Sequence, residues 1–128
     1  MANNYCQSSC ALKLEPHMLE DAKRIVESYI GELDSREEFV GIDVSVDEDG
    51  VWIRQDEMFE AEQAAELAQL LLESLGIDEP FVFSWAYTCS KLCIDEFGGG
   101  ACVVRRGKEP YFIDAMTEAL RHIKENGE

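Results

Sequence analysis

Apolar side chains recur at helical spacing in three stretches of this chain. The first covers residues 16–33, the second about residues 59–75, and the third starts at Pro110. Proline is tolerated at the first position of a helix, and Gly76 follows the second stretch, where a helix stop is expected. Each stretch has a single apolar stripe, which predicts three helices that each turn one side toward a sheet.

Between the helices, apolar and polar side chains alternate as they do in β-strands. Residues 40–46 and 51–54 are predicted to form a hairpin around the turn Asp-Glu-Asp-Gly. A second hairpin is predicted from residues 81–88 and 101–105, and residues 10–14 are predicted as a further short strand. The sequence therefore predicts an α+β fold, in which a mostly antiparallel sheet of four to five strands carries three helices on one face.

The hairpin followed by a helix occurs twice, in residues 39–76 and in residues 81–127. We interpret the chain as a single domain over residues 1–128 that is built from this duplicated unit. In the alignment of the two copies, the four-residue turn 47–50 corresponds to a twelve-residue stretch, residues 90–101. At an offset of 51 residues the copies match in the pairs Val51 and Cys102, Ile53 and Val104, Arg54 and Arg105, Ala64 and Ala115, Ala68 and Ala119, and Gly76 and Gly127.

The charge of the chain is extreme and uneven. Its 128 residues carry a formal net charge of −16 at pH 7. Residues 15–79 alone hold twenty acidic and four basic side chains, whereas residues 80–108 have a small positive balance. Such a field repels phosphate backbones and anionic lipids, so direct binding to nucleic acid or to a membrane is not expected. The field attracts a basic protein surface; the alternative is that the acidic residues only keep the protein in solution.

The five cysteines and the amino terminus bear on location and on metal binding. The first fourteen residues lack a basic start followed by an apolar run, and no apolar stretch approaches the roughly 20 residues that span a bilayer. An odd number of cysteines without dense spacing indicates reduced thiols, so a cytoplasmic protein is expected. Cys6 with Cys10, and Cys89 with Cys93, form two C-x3-C pairs at a spacing that structural zinc sites use. A zinc ion on these four thiolates is one alternative, and ordinary buried or loop thiols are the other.

The stretch 90–101 is the leading candidate for a binding site, since loops on a rigid sheet commonly carry functional groups. Its three glycines permit backbone conformations closed to other residues, and its two carboxylates adjoin an aromatic side chain. The alternative is a connector whose glycines only bend the returning strand. Together with the acidic turn of the first hairpin, the predicted partner-binding residues are Lys91, Asp95, Glu96, Phe97, Gly98, Gly99, Gly100, Asp47, Glu48 and Asp49.

No catalytic motif is found in the sequence. The chain has two histidines, His17 and His122, and it lacks the motifs of serine hydrolases and zinc proteases. The three consecutive glycines precede a strand and not the helix that a phosphate-binding loop requires. Catalytic residues are therefore not predicted, and a small enzyme centred on residues 90–101 is kept as an alternative.

These observations favour a small acidic binding protein without enzymatic activity. It is expected to engage a basic protein partner as a nucleic-acid mimic, a chaperone or an adaptor. The order of helices and hairpins is loosely similar to that of small acidic dimeric chaperones of bacterial secretion systems, without matching residues. The second face of the sheet mixes polar and apolar side chains, so it either faces water or forms a homodimer. Apart from the alternative zinc ion, no cofactor is expected.

Overall fold

A computed structural model describes residues 4–89 and 98–125 of the chain. These two ranges form an α+β fold with six strands and three α-helices. In chain order the elements are β1 (Asn4–Lys13), a short 3-10 turn (Pro16–Met18), α1 (Leu19–Ser35), β2 (Asp43–Asp47), β3 (Gly50–Gln55), α2 (Ala61–Leu75), β4 (Phe81–Cys89), β5 (Gly98–Val104), β6 (Tyr111–Asp114) and α3 (Ala115–Glu125).

The six strands form one antiparallel sheet in the order β2-β3-β1-β4-β5-β6. β1 joins the two halves of the sheet, because its residues 8–13 pair with β3 and its residues 4–7 pair with β4. Beyond the end of β3, Met58 forms an isolated parallel bridge with Cys6. In this bridge the Cys6 N–H donates to the Glu57 carbonyl and the Phe59 N–H donates to the Cys6 carbonyl. The backbone groups of Cys6 are thus satisfied on this side of β1.

α1 and α2 lie beside each other over one face of the sheet. The buried side chains of α1 recur every three or four residues, as expected for a helix with a single apolar stripe. α2 ends at Gly76, whose φ of 67° is the left-handed conformation that glycine adopts at helix ends. The Ile77 N–H then donates to the Leu72 carbonyl at 2.9 Å, which closes the last turn. Both helices were predicted from the sequence within a few residues.

The hydrophobic core lies between these two helices and the facing side of the sheet. Alanines on the buried side of α2 have no bulk beyond Cβ, so this helix approaches the strands closely. The sheet contributes Leu12, Val51, Ile53, Phe81, Phe83, Cys102 and Val104, and the helices contribute Ala22, Val26, Tyr29, Leu33, Ala64, Ala65, Leu67, Ala68, Leu71 and Leu72.

The described residues contain more strands than the four to five that we predicted. β6 falls within the stretch that was predicted as the start of the last helix, and α3 begins only at Ala115. The error arises because Phe112, Met116 and Leu120 are spaced four residues apart, so the pattern of a helix continues into the strand. β1 is also longer than predicted, at ten residues.

The arrangement of three helices on one face is not confirmed for α3. This helix contacts β5 and β6, yet none of its residues is buried. The duplicated unit is likewise not confirmed. Val51 and Ile53 are buried like their counterparts Cys102 and Val104, but α3 lacks the burial of α2, and a third strand separates the second hairpin from its helix.

Among the described residues, no helix has both the length and the apolar character needed to cross a membrane.

Candidate protein-binding surface

The acidic side chains of residues 15–79 all lie on the outside of the protein. Each of the twenty Asp and Glu residues in this stretch is exposed. They extend over α1, α2 and the β2–β3 turn, and we refer to these twenty residues as the acidic surface. Only four basic side chains, Lys23, Arg24, Arg36 and Arg54, occur in the same stretch of sequence.

Ion pairs neutralise a small part of the acidic surface. Within the described ranges, the ion pairs of this surface are Arg24 with Asp21, Arg36 with Glu32 and Glu38, and Arg106 with Asp78. Arg121 and Glu118 form a further pair outside it. All of these side chains are exposed, so each pair contributes about 0–1 kcal/mol to stability. The field in front of the acidic surface therefore stays negative, and at physiological salt it acts on cations over about 8 Å.

A groove of about 280 Å³ runs between α1 and α2 within the acidic surface. Its acidic side chains are Glu32 on α1 and Glu66 and Glu73 on α2, and Leu70 is exposed between the latter two. The Tyr29 hydroxyl donates a hydrogen bond to Glu66 Oε1 at 2.8 Å, which fixes the position of that carboxylate. Burial, followed by the hydrogen bond and the charge of Glu66, raises the pKa of Tyr29 above its ordinary value. The groove thus combines three carboxylates, of which Glu32 is paired with Arg36 in the groove lining, with an exposed apolar side chain.

The β2–β3 turn carries the predicted residues Asp47, Glu48 and Asp49, all of them exposed. Asp47 Oδ1 accepts a hydrogen bond from the Asp49 N–H at 2.8 Å, and the Asp49 carbonyl accepts one from the Leu14 N–H at 3.1 Å. These bonds hold the turn against the end of β1. The turn borders a surface groove of about 690 Å³, which is also lined by residues 11–14 and by Trp52. The structure therefore places these carboxylates on a fixed turn beside a concave surface.

The predicted second contact is only partly within the described residues. Lys91, Asp95, Glu96 and Phe97 lie outside them. Gly98, Gly99 and Gly100 form the start of β5 and pair with β4, so the prediction that they belong to a loop is wrong. A Cβ at position 99 would come within 2.7 Å of the Trp85 carbonyl oxygen, and one at position 100 within 2.5 Å of the Trp85 ring. These two glycines are therefore explained by close packing against the neighbouring strand.

One surface cluster was missed by the sequence analysis. On the sheet face opposite the core, the Arg54 guanidinium stacks on the Trp52 ring at 3.8 Å from its centroid. Trp52 Nε1 donates to Ser9 Oγ at 2.8 Å, and Arg54 Nη1 donates to Ser45 Oγ at 3.1 Å. Strand alternation places Trp52 and Arg54 on one face, but the stack with Ser9 depends on the pairing of β1 with β3, which the sequence does not reveal.

The described cysteines give the zinc hypothesis no support. Cys6 and Cys10 lie on one strand, so about 13 Å separates their backbones, whereas two sulfurs on one zinc ion lie about 4 Å apart. In residues 4–89 and 98–125, no group of three His, Cys, Asp or Glu side chains is placed to hold a metal ion. Cys93 lies outside these ranges. Burial raises the pKa of Cys6, and that of Cys10 to about 11, so both thiols are protonated at neutral pH.

Comparison with known protein families, with characterised proteins and with solved structures gives no match for this chain. The function therefore has to be inferred from the surface itself. Its main features are exposed carboxylates, surface grooves and a few exposed apolar side chains.

Proposed function

We propose that this protein is a small non-enzymatic binding protein that engages a basic protein partner through its acidic surface. The observation that carries the proposal is the exposure of all twenty acidic side chains of residues 15–79, against four basic ones. A partner rich in Lys and Arg is steered toward such a surface and binds in the orientation that matches the charges. The partner contact includes the carboxylates of the β2–β3 turn.

The groove between α1 and α2 is the part of this surface that offers shape as well as charge. Glu32 is paired with Arg36, and Glu66 and Glu73 each accept one hydrogen bond from this chain. Each carboxylate has further lone pairs for Lys or Arg side chains of a partner, and Leu70 provides apolar contact. A partner segment with alternating basic and apolar side chains would satisfy both features. Whether the partner normally binds nucleic acid, as in mimicry, or is a client of a chaperone or an adaptor, depends on its identity.

A cytoplasmic location belongs to the same proposal. Cys6, Cys10 and Cys102 form no disulfide bond, which fits a reducing compartment. Free thiols remain reduced where the glutathione pool is reducing.

The proposal is tested with two variants that change the net charge equally. Glu32→Lys with Glu73→Lys alters the α1–α2 groove, whereas Glu109→Lys with Glu125→Lys alters exposed carboxylates outside residues 15–79. Cell lysate is passed over each immobilised variant and over the native protein, and the retained proteins are identified by mass spectrometry. We expect a basic protein that the native chain and the control variant retain and that the groove variant loses.

The affinity of that retained protein is then measured as a function of salt. Screening shortens the range of the field, so the dissociation constant should rise at least about tenfold between roughly 0.1 and 0.5 M salt. If neither variant loses the retained protein, or if its affinity does not respond to salt, the acidic surface serves solubility only. Equal loss in both variants would show that net charge, and not the α1–α2 groove, governs binding.

A further inference from the structure

On the sheet face opposite the core, Arg54 lies directly across from a carboxylate and does not pair with it. In the register of β2 with β3, Asp43 is the cross-strand partner of Arg54. Side chains at directly opposed positions of an antiparallel pair lie close enough to interact. Within residues 4–89 and 98–125, however, neither Arg54 nor Asp43 belongs to an ion pair. Both charges are therefore left for a ligand.

The guanidinium of Arg54 is held in place by Trp52 and Ser45. It lies 3.8 Å from the centroid of the Trp52 ring, and its Nη1 donates to Ser45 Oγ at 3.1 Å. Ser45 is the cross-strand partner of Trp52, so both contacts draw the guanidinium along the strands, away from Asp43. The Trp52 ring is fixed in turn, because its Nε1 donates to Ser9 Oγ. Of the five N–H donors of an arginine, most thus remain for a ligand.

A second carboxylate, that of Asp56, is positioned at the same place by its backbone. Asp56 immediately follows β3, two residues beyond Arg54. Its N–H donates to Gln55 Oε1 at 3.1 Å, and its carbonyl accepts a hydrogen bond from Gln7 Nε2 at 2.9 Å. In the described part of the chain, the Asp56 side chain forms no ion pair. Its backbone is therefore fixed while its carboxylate remains available.

These side chains line one surface pocket of about 300 Å³, which we call the Arg54 pocket. Arg54, Trp52 and Ser9 line it together with Asp43 and Asp56. Its volume is at the lower end of the range of small-molecule sites. The guanidinium of Arg54 and the hydroxyl of Ser9 supply hydrogen-bond donors, and the two carboxylates supply acceptors. The pocket thus offers both signs of charge within the reach of one small molecule.

The mixture of charges decides which class of ligand fits. A simple anion would meet Asp43 and Asp56 as well as the field of a chain with a net charge of −16, and a simple cation would meet the guanidinium of Arg54. A zwitterion satisfies both kinds of group and, being neutral overall, is not repelled by the field. A free α-amino acid carries its ammonium and carboxylate on one carbon atom, and one with a short side chain suits a pocket of this size.

We propose that the Arg54 pocket binds a free α-amino acid. The ligand carboxylate accepts hydrogen bonds from the Arg54 guanidinium and the Ser9 hydroxyl, and the ligand ammonium donates to Asp43 and Asp56. Such charge-assisted hydrogen bonds are stronger than those between neutral groups. Because the guanidinium and the backbone of Asp56 are already fixed, binding has to order few groups of the protein. The site lies on the sheet face opposite α1 and α2 and does not depend on the proposed protein partner.

The ligand class is tested by calorimetric titration of the native chain with each of the standard free L-amino acids. We expect at least one of them to bind with a dissociation constant below about 1 mM. Its N-acetyl derivative lacks the ammonium and its amide lacks the carboxylate, so each should bind at least about tenfold more weakly. Derivatives that bind as well as the free amino acid, or no binding of any amino acid at about 10 mM, would overturn the proposal.

The position of the ligand is tested with variants of the amino acid that binds best in that titration. Arg54→Met and Asp43→Asn should each lower its affinity at least about tenfold, because each removes one of the charges that the zwitterion requires. Arg105→Met is the matched control, since Arg105 is exposed and lines a different groove, and it should bind as the native chain does. Circular dichroism and urea unfolding establish that each variant is folded. Unchanged affinity in both Arg54→Met and Asp43→Asn would place the ligand elsewhere and refute the site.

Discussion

The indole ring of Trp85 lies over Gly100, its direct partner on the neighbouring strand. A Cβ atom at Gly100 would lie 2.5 Å from Cζ2 of the ring and even closer to the carbonyl oxygen of Ile113. The ring also contacts Phe83 and Phe112, with centroids 5.8 and 6.4 Å away. The absence of a side chain at Gly100 therefore allows a row of aromatic rings to pass from β4 to β6.

We expect Gly100→Ala to destabilise the protein by about 1–3 kcal/mol, because the added methyl group forces the Trp85 ring or the β6 backbone to move. Gly31→Ala is the matched control. Gly31 lies within α1, and a Cβ there meets nothing within 4 Å. Alanine has the higher helix propensity, so this change should stabilise the protein by about 0.5–1 kcal/mol. Urea unfolding monitored by circular dichroism measures both values. An unchanged stability for Gly100→Ala would contradict the packing described.

The three glycines also show where sequence analysis fails. Taken alone, Gly98 to Gly100 resemble a flexible loop, because glycine is rare inside strands. Their strand conformation depends on Trp85, which is more than ten residues away in sequence and approaches only after β4 and β5 pair. β6 was missed for a related reason, since the Phe112 side chain continues a helical spacing and its pairing with β5 is not local.

Gln63 is a buried polar side chain that connects α2 to the segment before β2. Its Oε1 accepts a hydrogen bond from the Gly41 N–H at 2.8 Å, and its Nε2 donates to the Phe39 carbonyl at 2.7 Å. Gln63→Leu would leave the buried Gly41 N–H without this acceptor, so we expect a loss of about 1–3 kcal/mol in the free energy of unfolding.

Gln69→Leu serves as the control for Gln63, two turns further along α2. Gln69 donates to the carbonyl of Lys108, an exposed residue, so water replaces the lost bond. Loss of this hydrogen bond should lower the free energy of unfolding by less than about 0.5 kcal/mol. Chemical denaturation of both variants gives the comparison, and equal losses would indicate that the buried connection is not important for stability.

The sequence predicts the acidic surface, but it does not predict the grooves within that surface. Charged side chains stay in water almost everywhere, so a dense acidic stretch predicts an exposed one. The groove between Tyr29, Glu32 and Glu66 exists only because α1 and α2 are neighbours. Helical periodicity in the sequence predicts which side of a helix is apolar, but it does not predict which helix lies beside it. The two elements that cover the core were predicted from their stripes. Met116, Leu120 and Ile123 on α3 were expected in the core but are exposed. Helical periodicity shows that a helix has an apolar side and does not show that this side is covered.

We expect the half-buried thiol of Cys10 and the buried thiol of Cys102 to make stability depend on pH in the alkaline range. Burial raises the pKa of both Cys10 and Cys102 from 9.0 to about 11. Above pH 9 the unfolded chain releases thiol protons that the folded chain retains until about pH 11, so the free energy of unfolding falls as pH rises through this window. Below pH 9 the contribution of the two protonated thiols is fully present. Each thiol adds at most about 1.4 kcal/mol per pH unit to the slope.

The thiol contribution is isolated with the double variant Cys10→Ala and Cys102→Ala. Tyr29 also has a raised pKa and titrates in the same direction. The free energy of unfolding of the double variant should therefore still fall as pH rises, but less steeply than that of the native protein. Urea midpoints of both proteins between pH 8 and pH 10.5, under reducing conditions, give the two slopes. The small cavity left by Cys102→Ala lowers stability at every pH and leaves the slope unaffected. If both proteins lose stability at the same rate, the two thiols ionise alike in the folded and unfolded chain, and their burial has no part in the alkaline response.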